Sequence, residues 1–131
     1  VIKLSQELFQ LGDFSKWQYK NWEVDQNTTF KFKVQYTEDD EITPIDLTGA
    51  TAKMQVRDTK GGSKLAFTLT SPVGGITIDG PTGTLEIVIT PTQTNKLFYP
   101  KSSYDVMVVD SNGNKIKIVE GFMTLSRSVT I

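Results

Sequence analysis

Between Ala50 and Arg57 the chain alternates without a break. Ala50, Ala52, Met54 and Val56 fall on one side, and Thr51, Lys53, Gln55 and Arg57 on the other. That period of two predicts a strand with one buried face. Asp46 to Gly49 supplies the turn that feeds it. Thr28 to Tyr36 repeats the scheme, with Phe30, Phe32, Val34 and Tyr36 on the apolar side and Lys31, Lys33 and Gln35 on the side given to water. Leu65, Phe67 and Leu69 define the next strand, after a polar loop containing Lys60-Gly61-Gly62-Ser63. Ile76 and Ile78 make a short one. In the strand Leu85 to Ile89, Val88 adds an apolar residue to the face opposite Leu85, Ile87 and Ile89, which predicts cover on both sides and a central place in its sheet.

Thr90-Pro91-Thr92-Gln93 is a helix start: threonine caps, proline suits the first helical position, and glutamine stands where a capping box needs it. Pro100 limits that helix to one short turn, from about Pro91 to Leu97, bridging the two sheets. Tyr104 to Asp110 and Lys115 to Thr124 flank Ser111-Asn112-Gly113-Asn114, and Asn-Gly between alternating runs predicts a hairpin. Gly121 interrupts the alternation of Ile116, Ile118 and Phe122 and marks a bulge or a close backbone approach. A last short strand is expected around Leu125 to Ile131. Seven to nine strands with one helical turn predict an all-β fold, an immunoglobulin-like antiparallel β-sandwich.

The leader does not follow this grammar. Ile2, Leu4, Leu8, Phe9 and Leu11 have no settled period, and then Phe14, Trp17, Tyr19 and Trp22 crowd aromatic rings into nine residues. We divide the chain into an N-terminal aromatic arm, residues 1–24, and a sandwich domain, residues 25–131. Two readings of the arm stand side by side: its rings cap an open end of the core, or they anchor a neighbouring subunit, as Trp and Tyr commonly do at interfaces. Phe14, Trp17, Tyr19 and Trp22 are the candidate partner-binding residues.

Composition narrows the chemistry. The 131 residues suffice for one core. A formal charge of -1 gives no bulk attraction to nucleic acid or to anionic lipid, so neither is an expected partner. The chain has no cysteine and no histidine, which removes disulfides, thiolate catalysis, the serine-histidine relay and the commonest transition-metal ligand. No apolar run predicts a membrane span or a cleaved signal, so the expected product is soluble where it is made. The acidic run Glu38-Asp39-Asp40-Glu41 lacks the alternating ligands and glycine of a calcium loop and reads as a solvated connection. Asp110, Asn112 and Asn114 alternate as calcium ligands do, but the glycine and the final glutamate are misplaced. Lys60 to Lys64 lacks the order of a phosphate loop. We expect no cofactor, no metal and no catalytic residue.

Several phrases, in order, carry a resemblance: Asp25-Gln26-Asn27-Thr28-Thr29-Phe30, then Pro44 through Arg57, Gly75-Ile76, Gly83 through Thr90 with Thr94, and Tyr104-Asp105-Val106 with Gly113 and Gly121. Over residues 25–130 the chain resembles the small β-sandwich structural proteins of tailed bacteriophages, found in baseplates, tail-fibre attachment sites and necks. The resemblance implies a non-enzymatic virion adaptor, assembled in the host cytoplasm, whose partners are other virion proteins and further copies in a homo-oligomer or symmetric ring. Two other classes compete with it. An immunoglobulin-like module could bind a receptor or glycan by stacking Trp17, Tyr19 and Tyr99 on sugars, or decorate a capsid or neck; a carboxylate glycosidase needs two acids across a cleft.

Overall fold

The strand beginning at Thr51 is internal to a sheet, as its alternation requires. The computed structural model describes residues 2–5, 18–38, 40 and 42–130, with side chains from residue 18 onward. In chain order the strands are β1 (Ile2–Ser5), β2 (Gln18–Tyr19), β3 (Trp22–Asp25), β4 (Phe30–Tyr36), β5 (Thr51–Arg57), β6 (Leu65–Thr70), β7 (Ile76–Asp79), β8 (Thr84–Ile89), β9 (Lys101–Val109) and β10 (Lys115–Ser126), with the helical turn α1 (Pro91–Thr94) between β8 and β9. They form two sheets. One has four strands in the order β1-β4-β8-β7; the other has six, β2-β10-β9-β5-β6, with β3 also paired to β10. The protein is an all-β sandwich.

The inward residues of both sheets meet in one core. Ala52, Met54 and Val56 of β5 face Phe30, Phe32 and Val34 of β4, with Leu85, Ile87 and Ile89 of β8 beside them. Phe32, Met54, Leu69 and Ile87 are wholly removed from water, each burial being worth about 1.5–3 kcal/mol. β8 lies between β4 and β7, the central place its two-sided apolar pattern predicts. Lys31 and Lys33 take the wet side, where Lys33 meets Glu86 across the β4–β8 ladder at 3.7 Å.

Local chemistry sets the turns. Before β5, the Asp46 carboxylate accepts from the Thr48 N–H and hydroxyl, and Gly49 takes a φ of +81° that a β-carbon would strain. At Thr90 the capping box forms: the Thr90 hydroxyl accepts from Gln93 N–H, and the Gln93 side chain accepts from Thr90 N–H. The helical turn carries the chain from the four-stranded to the six-stranded sheet, and the Thr94 hydroxyl ties it to the Thr28 carbonyl at 2.9 Å. In the β9–β10 hairpin the Asp110 carboxylate accepts from the N–H groups of Asn112 and Asn114, which also holds its pKa below the ordinary value.

Several expectations are refined by the structure. The leader is not outside the strand grammar: β1 pairs with β4, and β2 and β3 run along β10. Those last two pairings are parallel within a sandwich that is otherwise mostly antiparallel, and β3 runs across residue 24. The bulge in β10 falls between Lys117 and Val119, so that Ile118 and Val119 are both buried and Phe122 turns outward. Gly121 is the close backbone approach, the second of the two roles expected of it: a β-carbon there would stand 2.1 Å from the Lys20 carbonyl oxygen. No separate strand forms after β10 among the described residues, because β10 runs on through Ser126. The strands number ten among those residues, and a register shift at Val56/Arg57 takes Leu65 off the face shared by Phe67 and Leu69.

Candidate docking site

Of the four aromatic candidates, Phe14 and Trp17 lie outside the described residues. Trp22 and Tyr19 go to opposite faces. Trp22 is 6% exposed, packed edge-on to Phe30 at 5.6 Å between ring centres and tilted over Phe32 at 4.9 Å. Its indole N–H donates to the Tyr104 hydroxyl at 2.8 Å, and that hydroxyl donates to the Lys20 carbonyl at 2.6 Å. Trp22 therefore belongs to the core of its own chain and has no surface to offer a partner. Tyr19 is 53% exposed and stands opposite Glu120 on the outer face of the six-stranded sheet. Tyr99, considered for sugar stacking, already carries the Arg127 guanidinium over its ring at 4.1 Å.

Glu120 is the residue that sequence reasoning missed. The loop between β5 and β6 folds across the outer face so that Lys60 reaches Glu120 at 3.1 Å, and Lys117 meets the other carboxylate oxygen at 3.1 Å. Arg57 holds the loop from below, donating to the Gly62 carbonyl and the Gln55 side chain. Burial alone would raise the Glu120 pKa, but hydrogen bonds from Lys60 and Lys117 outweigh it and bring the value below the ordinary one. Lys60 is raised in turn, chiefly by its hydrogen bond to Glu120. A cleft of about 140 Å³ remains, shared by Glu120 and its cross-strand neighbour Asp105. A carboxylate held ionised by two ammonium groups is unsuited to donate a proton near neutral pH. The clasp is built to pin a loop.

The free edge of β6 is the feature without an internal explanation. Among the described residues β6 pairs with β5 on one side and ends the sheet on the other, apart from a single parallel bridge between Thr70 and Gly75. Its sequence, Leu65-Ala66-Phe67-Thr68-Leu69-Thr70, contains no charge and no proline. Soluble proteins usually blunt such an edge with lysine, proline or a covering loop, because its unpaired backbone groups recruit other strands. Other edge strands are short or charged: β3 carries Glu23 and Asp25, β7 is four residues long and ends on Asp79, and β1 is four residues long and contains Lys3. Ser71 N–H bonds inward to the Ala52 carbonyl, whereas Thr70 N–H turns away to Gly74. Backbone alternation then points the Thr68 N–H toward the open side. Exposed apolar side chains lie at both ends of this edge, Leu65 at 45% and Val73 at 83%.

Of the acidic residues considered for calcium, Asp39 and Glu41 lie outside the described residues, while Asp40 and Asp110 are occupied as turn caps. The Asp40 carboxylate accepts from Ile42 N–H, Thr43 N–H and the Thr43 hydroxyl, and Asp110 caps its hairpin as described. Among the described residues no three acidic side chains gather as a metal would require, and no helix is long and apolar enough to cross a membrane. Compared with known families and with curated proteins, the chain matches no family model and has no significant relative.

Proposed function

We propose that this chain is a non-catalytic structural protein of a tailed-phage virion, an adaptor in the tail, baseplate or fibre-attachment region that works by docking other proteins. The observation that carries the docking role is the uncharged edge of β6, open at Thr68 among the described residues. An extended segment of a neighbouring virion protein completes it by adding a strand, with backbone hydrogen bonds giving affinity and alternate side chains giving register. The virion assignment rests on the ordered phrases between Asp25 and Gly121 and on the absence of histidine and cysteine, which leaves few routes to catalysis. The clasp at Glu120 supports the same reading, because it secures the loop that enters β6 and so fixes one end of the docking edge.

Thr68→Pro tests it. Proline removes one N–H from the open side while leaving the β5 ladder intact, a substitution that edge strands tolerate. The isolated variant should keep the wild-type circular dichroism spectrum, and particles produced with it should lack the chain or its neighbour. Normal particles containing the folded variant would refute docking at this edge.

A further inference from the structure

We infer that the cleft beneath the β5–β6 loop binds a sugar residue, holding adjacent ring hydroxyls between Gln55, Ser103 and Asp105. Sheet register builds the site. Gln55 of β5, Asp105 of β9, Glu120 of β10 and Tyr19 of β2 are partners in turn, so they form one row across the outer face of the six-stranded sheet. Arg57 and Ser103 are partners in the next row. Thr59 to Gly61 of the loop wall the cleft, which measures about 140 Å³. Pockets that bury drug-sized ligands run to about 300–1,000 Å³, so this one suits a single small ring.

Ser103 is the observation that points to a ligand. It is 7% exposed and lines the cleft, and its hydroxyl has no hydrogen-bond partner in the protein. Buried hydroxyls are almost always bonded, so one left over on the wall of a cleft marks a group that bonds something from outside the chain. The Lys60 side chain lines the same cleft and is 69% exposed, which makes it the part of the wall that a ligand displaces to reach the floor.

The surrounding charges decide what enters. A free cation would face Arg57 and Lys60, and a free anion would face Asp105 and Glu120. A neutral group that both donates and accepts suits all four. The Asp105 carboxylate is in no salt bridge among the described residues and is left as an acceptor. Arg57 donates to the Gly62 carbonyl and to the Gln55 side-chain oxygen, which leaves the Gln55 amide N–H groups as donors beside that carboxylate. One hydroxyl can donate to Asp105 and accept from Gln55, while its ring neighbour reaches Ser103. Half-exposed Tyr19, at the end of the row, adds an apolar surface for the C–H face of the ring.

Heteronuclear NMR of the full chain tests this, in titrations with the methyl glycosides of glucose, galactose and mannose up to about 100 mM. At least one glycoside should shift the amide signals of Gln55, Ser103 and Asp105, with a Kd of about 1–10 mM, as befits a ligand with few contacts. Asp105→Asn should weaken its binding by about tenfold or more through loss of a charged acceptor. Ser103→Ala should weaken it by about two- to tenfold and leave the melting temperature unchanged or raised, because the deleted hydroxyl bonds nothing in the fold. Both variants should keep the wild-type circular dichroism spectrum. Thr68→Pro should bind like the wild type, which separates this site from strand addition at β6. Absence of saturable shifts with every glycoside overturns the proposal, and so does equal affinity for glycerol, which carries adjacent hydroxyls without a ring. Wild-type affinity in Asp105→Asn or Ser103→Ala, or a lowered melting temperature in Ser103→Ala, overturns it as well.

Discussion

Tyr104→Phe isolates the bond that fastens the leader to the sandwich. The change keeps the ring, which contacts Phe32 at 6.3 Å between centres, and deletes only the hydroxyl. Two groups lose a partner: the buried Trp22 indole N–H and the Lys20 carbonyl. A buried donor left unsatisfied costs about 1–3 kcal/mol, and the part-buried Lys20 carbonyl adds less, for a total of about 2–3 kcal/mol. For a chain of 131 residues the unfolding entropy is about 0.27 kcal/mol per degree, so the melting temperature should fall by roughly 7–11 °C. Burial pushes the Tyr104 hydroxyl well above its ordinary pKa, so it stays protonated, and the loss should be constant from about pH 6 to pH 9. Thermal unfolding followed by circular dichroism reads the effect. A cycle with Trp22→Phe should give a coupling of about 1 kcal/mol or more. A melting temperature within about 2 °C of wild type would refute the node as the fastening of β2 and β3.

Two further predictions concern the same face. Glu120→Gln should destabilise by about 1.5–3 kcal/mol at pH 7, toward the lower end because the exposed Lys60 ammonium returns to water. Since the folded carboxyl is depressed below 4.5, that contribution is complete above the unfolded pKa and disappears as pH falls through the folded value; urea titrations should show the gap between variant and wild type closing below about pH 4. Gly121→Ala drives a β-carbon into the Lys20 carbonyl and should cost about 2–4 kcal/mol, with hydrogen exchange accelerating selectively in β2 and β3. Uniform acceleration across the sandwich would contradict that localisation.

Most of the fold was legible because its signals are local. Alternation at Ala52, Met54 and Val56, the capping box at Thr90 and Gln93, and the Asn112-Gly113 turn each need only a few consecutive residues, and each has its predicted conformation. What escaped depends on partners distant in the chain. The pairing of β3 with β10 places Trp22 opposite Met123, a relation no local period encodes. An extra residue at Ile118 resets the faces of β10, so Phe122 turns out although it matches Ile118 in parity. Glu120 gave a faint signal, an acid directly after two apolar residues with a lysine three positions earlier, but its second partner lies on a loop sixty residues away. The β6 edge was hidden for a related reason: an uncharged strand is ordinary inside a sheet, and only the strand order shows that β6 is last among the described strands.

The most direct test of the docking account is a reconstruction of the assembled virion by electron cryomicroscopy at a resolution that traces strands. We predict that this chain lies between other proteins and that a neighbour's extended segment runs along β6, bonded to the Thr68 N–H. A particle without the chain, or one in which the β6 edge faces bare solvent, would contradict the account.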